Sequence, residues 1–460
     1  MNLVDLALAL RERPDEIGLE FQDRAWSFGE LEASSNRMAR LLEQRGFQTG
    51  DRLCVCLANG FEIIEIFLAC LKLGVIFVPI NVLYKERERG HIVADAEPRA
   101  VVTAAEVADM AAAAAALPAE RGAVEAGERT PAAIIYTSGT TGAPKGVVLT
   151  HGNFAANARV VVAAWEMTPA DRLLLALPLF HVHGLGNGVC TWLATGLRSR
   201  LLERFEHRTA AAEFLAFRPT VFFGVPTMYA RLLETPAETA REIGAFVRLF
   251  VSGSAPLAPA VLERFEERFG RRILERYGMT ETLMITSNPY RGERRAGTVG
   301  AALPGVSVRV ADGGDVFVRG PSVFAGYWRN DAATAAALID GWFRTGDVAE
   351  QSPDGYYKLL GRQDDLIISG GFNISAREIE EFLEEQDEVA EAAVVGAPDA
   401  LRGQAPVAYI VPRGDAFDAA QLEARCRENL ASFKVPRAFV RLDGLPRTPL
   451  GKVQKNLLPR

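Results

Sequence analysis

The chain is poor in the residues that carry redox and metal chemistry. Of its 460 residues, five are cysteine and five are histidine. Cys54, Cys56, Cys70, Cys190 and Cys426 include no Cys-x-x-Cys pair and lie in apolar runs. That argues against a disulfide framework or a cysteine-based zinc site, and predicts buried, reduced thiols in a cytoplasmic protein. His181-Val182-His183 is the sole close histidine pair, and with no cysteine nearby it is a weak metal signal. Basic charge is not in excess: 51 Lys and Arg against 58 Asp and Glu leave a net charge of −7. A nucleic-acid partner or an anionic membrane surface is therefore disfavoured. No long apolar run goes uninterrupted. Residues 63–83 come nearest, but Glu65, Lys72 and Gly74 break them, so they read as a buried helix followed by a strand. Asp5 interrupts the first apolar stretch and no basic segment precedes it, so no signal peptide is expected.

What remains is ample chain for two or more domains. Ser27 with Glu30 forms a capping-box pattern opening a helix over 31–44. Residues 51–57 read as a strand, 62–73 as a helix and 76–80 as a strand, an alternation that argues for parallel α/β architecture. The alanine-rich stretch 104–128 reads as a helix and surface loop without chemistry. Residues 172–177, 221–224 and 249–252 read as strands that feed functional loops, the last ending in small residues, and 315–363 is β-rich. Residues 376–386, 389–395, 407–411 and 422–430 carry their own β-α-β pattern after the polar stretch at 361–365. The fold class expected is α/β, with a large multi-subdomain N-terminal α/β domain over 1–363 and a small α+β domain over 364–460.

The most informative string is 136–146, Tyr-Thr-Ser-Gly-Thr-Thr-Gly-Ala-Pro-Lys-Gly. Its glycines and hydroxyl residues leave little bulk, so backbone N–H groups can close around an anion, and Lys145 adds positive charge. Short apolar runs flank it, as two strands would. It is not the mononucleotide P-loop, which needs Gly-Lys-Ser/Thr leading into a helix. An ordinary glycine hairpin is the bland alternative for any one such loop. The whole string resembles the phosphate-binding signature of the adenylate-forming enzymes: acyl-CoA synthetases, peptide-synthetase adenylation domains and luciferases.

The resemblance runs on along nearly the whole chain. It implies ATP, Mg²⁺ and coenzyme A as ligands and a C-terminal domain that moves. Thr137, Ser138, Gly139, Thr140, Thr141 and Lys145 would hold the phosphates. In Tyr277-Gly278-Met279-Thr280-Glu281, read as an exposed loop, Tyr277, Gly278 and Met279 would line the nucleotide, Thr280 would contact phosphate and Glu281 would hold Mg²⁺, a cation suited to few carboxylates plus phosphate oxygens. Gly253, Ser254 and Ala255 would pack on adenine. Asp347 and Arg362 would take the ribose, Asp364 would be the hinge, and Gly370 and Gly371 would lie beside the entering thiol. Lys452 is implied as the catalytic lysine, a cation brought to the carboxylate and α-phosphate as they meet. Each charged residue also has a plainer reading as a solvated surface group. Ser375 and Gln404 depart from the proline and glutamate common in relatives.

For the acid, the run 178–184 implies an acyl wall on which His181 gates the carboxylate. Arg231, in the run 224–231, is either a solvent-facing charge on an amphipathic helix or a fork for a second carboxylate. The runs 225–231, 275–282, 286–290 and 295–300 are similar to malonyl-CoA synthetases. That likeness implies Arg231 on the distal carboxylate, with Ser287 and Met279 shaping a small pocket. The function implied is an ATP-dependent ligase joining malonate or methylmalonate to CoA. A ligase for a fatty or aromatic acid, or a protein that loads a carrier protein, are the alternatives.

Overall fold

The computed structural model describes residues 2–7, 9–122, 126–137, 144–257, 259–362, 366–414, 417–446, 453 and 455–458. Ser138, Gly139, Thr140, Thr141, Asp364 and Lys452 lie outside the described residues, as does the side chain of Arg362. The chain divides into two compact units. One comprises 1–82, 96–135 and 146–361; the other comprises 83–95, 136–145 and 362–460. The second unit thus holds two short segments from earlier in the chain as well as the C-terminal residues.

The first unit is built on two sheets with parallel cores. A nine-stranded sheet runs, in spatial order, through 301–302, 283–287, 274–279, 249–252, 221–224, 172–175, 198–201, 17–21 and 24–27. A six-stranded sheet runs through 326–327, 145–150, 131–137, 76–79, 52–56 and 100–103. Strands Val221–Gly224 and Leu249–Ser252 are buried along their whole length, as strands covered on both faces must be. A smaller sheet of 307–310, 315–319, 342–351 and 338–339 completes the unit, with 357–362 paired to 342–351.

Local signals explain the helices. Ser27 and Glu30 do form the reciprocal capping box of helix Phe28–Gln44. Thr103 and Glu106 do the same for the alanine-rich helix Ala104–Ala115. The apolar stretch at 63–83 resolves into helix Phe61–Leu73, stopped by Gly74 at φ +69°, and strand Ile76–Pro79. Among the described residues no helix is long and apolar enough to cross a membrane.

In the second unit, strands Phe372–Ser375, Leu366–Ser369, Gly403–Pro412 and Val389–Asp399 form a sheet, and Ala438–Arg441 pairs with Gly403–Pro412. Helices Ala376–Glu384 and Ala419–Asn429 belong to the same unit. Its core includes Ile379, Leu383, Val394, Ile410 and Leu422.

Candidate active site

Three segments of the first unit carry most of the described candidate residues. The first is the chain after strand Arg172–Leu175. It enters a seven-residue π-helix, His183–Val189, a rare form that is frequent at functional sites. Glycines 184, 186 and 188 alternate along it. A Cβ on Gly184 would stand 2.2 Å from the Pro178 carbonyl oxygen, and one on Gly186 would stand 2.7 Å from Leu283 Cδ2. The turns pack so tightly that side chains there would collide.

His181 and His183 project from this segment. The backbone N–H of His183 donates to His181 Nδ1 at 3.1 Å, which leaves the His181 proton on Nε2. Desolvation, then the nearby charge of Arg276, pushes the His181 pKa down to about 4, so it is neutral at pH 7. His183 is pushed well below its ordinary value by the same causes, and its Nδ1 lies 3.1 Å from Ser254 Oγ. Among the described residues no cluster of three or more His, Cys, Asp or Glu could hold a metal.

The second segment is the loop after strand Leu249–Ser252. Gly253 is buried, and Ser254 adopts φ +69°, a left-handed conformation that costs a non-glycine residue free energy. Leu257 N–H closes the loop on Glu275 Oε1 at 3.0 Å. The Glu275 carboxyl is itself buried, and desolvation pushes its pKa up to about 7.

The third segment is the hairpin of strands Leu274–Met279 and Leu283–Ser287. Here the structure corrects the exposed-loop reading of 277–281. Tyr277, Thr280 and Glu281 are buried, because the run is a strand and tight turn inside the sheet. Gly278 allows the close crossing: a Cβ there would stand 1.9 Å from the Leu283 carbonyl oxygen. Tyr277 OH donates to Asp347 Oδ2, and Asp347 N–H donates to Thr345 Oγ1, so ring and carboxylate hold one another. Tyr327 OH donates to Glu281 Oε1 at 3.0 Å. A single buried carboxylate beside a threonine suits Mg²⁺ that arrives with phosphate oxygens better than a caged metal.

Arg276 is the residue that the sequence reading passed over. Its side chain is buried, and its Nε and Nη2 have no hydrogen-bond partner among the described residues. Burial pushes its pKa down to about 9, which leaves it charged at pH 7. The guanidinium lies against the Gly253 backbone: a Cβ on Gly253 would stand 2.4 Å from Arg276 Cζ. Gly253 therefore makes room for a cation, a role distinct from the adenine contact expected of it. Glu275 does not neutralise it, because alternation along the strand sends neighbouring side chains to opposite faces.

Arg231 ends helix Pro226–Leu232, half-exposed, with Nη1 2.9 Å from Glu234 Oε1. Ser287 stands across the hairpin from Arg276, but its hydroxyl accepts from Trp165 Nε1 at 3.0 Å and donates to the Asn288 carbonyl at 2.7 Å. Met279 is half-buried and Ala255 follows Ser254 in the same loop. In the second unit, Thr137 ends strand Pro131–Thr137 and Lys145 begins strand Lys145–Thr150. Gly370 and Gly371 turn the hairpin of Leu366–Ser369 and Phe372–Ser375 at φ +58° and +85°, and Gly370 N–H donates to the Arg402 carbonyl at 2.9 Å.

Comparison with known proteins identifies the family. The AMP-binding enzyme family matches residues 6–328, and the AMP-binding enzyme C-terminal domain matches 378–452. A malonate–CoA ligase of Arabidopsis thaliana is 33% identical, covering 97% of this chain and 86% of its own. An indoleacetate–CoA ligase of Aromatoleum aromaticum is 35% identical, covering 96% and 94%. A solved malonyl-CoA ligase ternary product complex with methylmalonyl-CoA and AMP bound is 40% identical, with a TM-score of 0.85 and coverage of 96% and 99%. The chain belongs to the AMP-binding enzymes, the adenylate-forming superfamily of the acyl-CoA synthetases.

Proposed function

We propose that the protein is an ATP-dependent malonate–CoA ligase that also accepts methylmalonate. The observation that carries the reading is Arg276, a buried guanidinium with Nε and Nη2 unpartnered. An unpaired buried charge costs several kcal/mol, roughly 3–5 by the measure of broken buried pairs. A distal carboxylate on the substrate would remove that cost. The Nε and Nη2 edge is a side on which guanidinium can take two carboxylate oxygens at once. A fatty or aromatic tail would leave the cation bare. Arg231 is the second cation of this reading, exchanging Glu234 for substrate at the rim.

In the first half-reaction a carboxylate oxygen of the acid bonds to the α-phosphorus of ATP, and the bond to the pyrophosphate oxygen breaks. Neutral His181 offers its Nε2–H to the attacking carboxylate without protonating it. Lys452, Lys145, Thr280 and the loop of Thr137 to Thr141 offset the charge that develops. Mg²⁺, held by Glu281 and phosphate oxygens, would draw charge from the leaving pyrophosphate. Tyr277, Ser254 and Ala255 seat the adenine, and Asp347 and Arg362 take the ribose. The domain 364–460 then turns at Asp364 and brings Gly370 and Gly371 to the thiol. The CoA sulfur bonds to the acyl carbon, AMP leaves, and the thiol proton passes to solvent.

The rival is a ligase for a monocarboxylic acid, supported by the indoleacetate–CoA ligase at comparable identity. The test is AMP formation with Mg·ATP across malonate, methylmalonate, butyrate, benzoate and indoleacetate, with and without free CoA. Preference for the dicarboxylates with CoA-dependent thioester is expected. Turnover of monocarboxylates alone would overturn the substrate, and indifference to free CoA would favour a carrier-protein acceptor. Lys452→Ala should lose adenylation yet retain thioester formation from supplied acyl-adenylate; equal loss of both would remove its assignment.

A further inference from the structure

Among the described residues Asn157 hydrogen-bonds to none of those assigned above to chemistry, yet it is bound to two of the segments that carry them. It lies on helix His151–Ala164 and is 2% exposed. Its Oδ1 accepts the backbone N–H of Met284 at 3.0 Å. Its Nδ2 donates to Asn187 Oδ1 at 2.9 Å and, at the longer distance of 3.5 Å, to the Gly186 carbonyl. The orientation of the amide is fixed by these partners, since only Oδ1 can accept a backbone N–H.

Both targets need holding. Met284 follows Leu283, which sits at φ +57°, a conformation that L residues with bulky side chains rarely adopt. That residue closes the turn bearing Thr280 and Glu281. Asn187 lies inside the π-helix whose first residue is His183. The Leu283 side chain reaches Gly186 of that helix so closely that a Cβ there would be 2.7 Å from Leu283 Cδ2. One buried amide therefore spans a strained turn and a rare helix where the two meet.

We infer that Asn157 is a positioning residue that sets the acyl wall of His181 and His183 against the turn of Thr280 and Glu281. It acts through the Asn187 side chain on one side and the Met284 backbone on the other. The inference rests on the site proposed above. The assay uses whichever acid the wild-type enzyme turns over, so a wrong choice of malonate would not resemble a failure here.

The test is steady-state adenylation with active sites counted by single-turnover pyrophosphate release, alongside melting temperature. Asn187→Ala removes the shorter of the two contacts to the π-helix and leaves the arm to Met284 in place. It should raise KM for the acid about tenfold, since small misplacements in a reacting site carry large costs, and leave KM for ATP nearly unchanged. Asn187→Asp keeps an acceptor opposite Asn157 Nδ2 once its buried carboxyl is protonated, so it should restore part of the loss at pH 6 and less at pH 8. Asn157→Ala breaks both arms, so it should raise KM for the acid and also lower kcat. Should Asn157→Ala fail to fold, the Asn187 pair decides the matter. Variants that melt earlier but keep wild-type KM and kcat per active site would overturn the inference, as would an Asn187→Asp no better than Asn187→Ala at pH 6.

Discussion

Lys72 and Arg276 are both cations buried in the first unit, at 5% and 4% exposure. Their surroundings could hardly differ more. Lys72 Nζ donates to Glu32 Oε2 at 2.8 Å, Ser35 Oγ at 2.7 Å and Asn36 Oδ1 at 2.8 Å. All three of its protons are placed within two helices, Phe28–Gln44 and Phe61–Leu73. Arg276 has Nε and Nη2 facing no acceptor among the described residues. A buried charge with its partners supplied holds the fold together. A buried charge without them is tolerable only if a ligand completes it, and that difference separates a structural cation from a binding one.

The comparison can be broken most sharply at Arg276. Arg276→Met should lower kcat/KM for malonate by about a hundredfold or more, the equivalent of roughly 3 kcal/mol for a lost buried charge pair. Butyrate should be little affected. The ligand-free variant should melt no lower than wild type, because an uncompensated charge has gone. Lys72→Met should do the reverse. Leaving Glu32, Ser35 and Asn36 without their donor should cost about 2–4 kcal/mol of stability by denaturant titration, with kcat/KM intact. If the two variants destabilise alike, the contrast fails. Arg231→Ala is the smaller step: its half-exposed pair with Glu234 predicts at most about 1 kcal/mol of stability. Its kinetic loss should stay below that of Arg276→Met, and the opposite order would move the distal carboxylate to Arg231.

The smallest effect concerns pH. Burial pushes His151 and His181 down to about 4 and His183 well below its ordinary value. Each folded-state pKa lies below the unfolded value, so the unfolded chain binds more protons in between. The histidines' share of the stability should be level well above about pH 6.5 and fall as pH drops toward 4, opposed by the buried Glu65 and Glu275, whose pKa raised to about 7 favours the folded state as pH falls. In Arg276→Met the fall should be shallower, because the cation that opposes protonation of His181 and His183 has been removed. Denaturant titrations at pH 7 and pH 5 check both statements.

Much of this was legible before any coordinates. The α/β alternation was readable because buried parallel strands are short apolar runs and their helices carry caps such as Ser27 with Glu30. The strands at 221–224 and 249–252 fell on short apolar runs, one closed by Gly224 before Pro226 and the other followed by Gly253, Ser254 and Ala255. The exposed-loop reading of 277–281 went wrong because polar residues signal a loop only when no distant partner covers them. Tyr277 has Asp347 and Glu281 has Tyr327, pairings that no local pattern announces. Arg276 was hidden for the same reason. Its signal was present, a charge directly after Leu274 and Glu275 in a run feeding Tyr277, but burial without a partner is a property of three dimensions. No local pattern announced the π-helix, whose close packing glycines 184, 186 and 188 allow.

The central claim is that Arg276 awaits the second carboxylate of the substrate. A crystal structure with malonate and a non-hydrolysable ATP analogue tests it most directly. The account predicts two oxygens of one carboxylate about 2.7–2.9 Å from Arg276 Nε and Nη2, the range of charge-assisted bonds, with the other carboxylate toward the α-phosphate. A distal carboxylate bound at Arg231 or in solvent, with Arg276 still unpartnered, would contradict it.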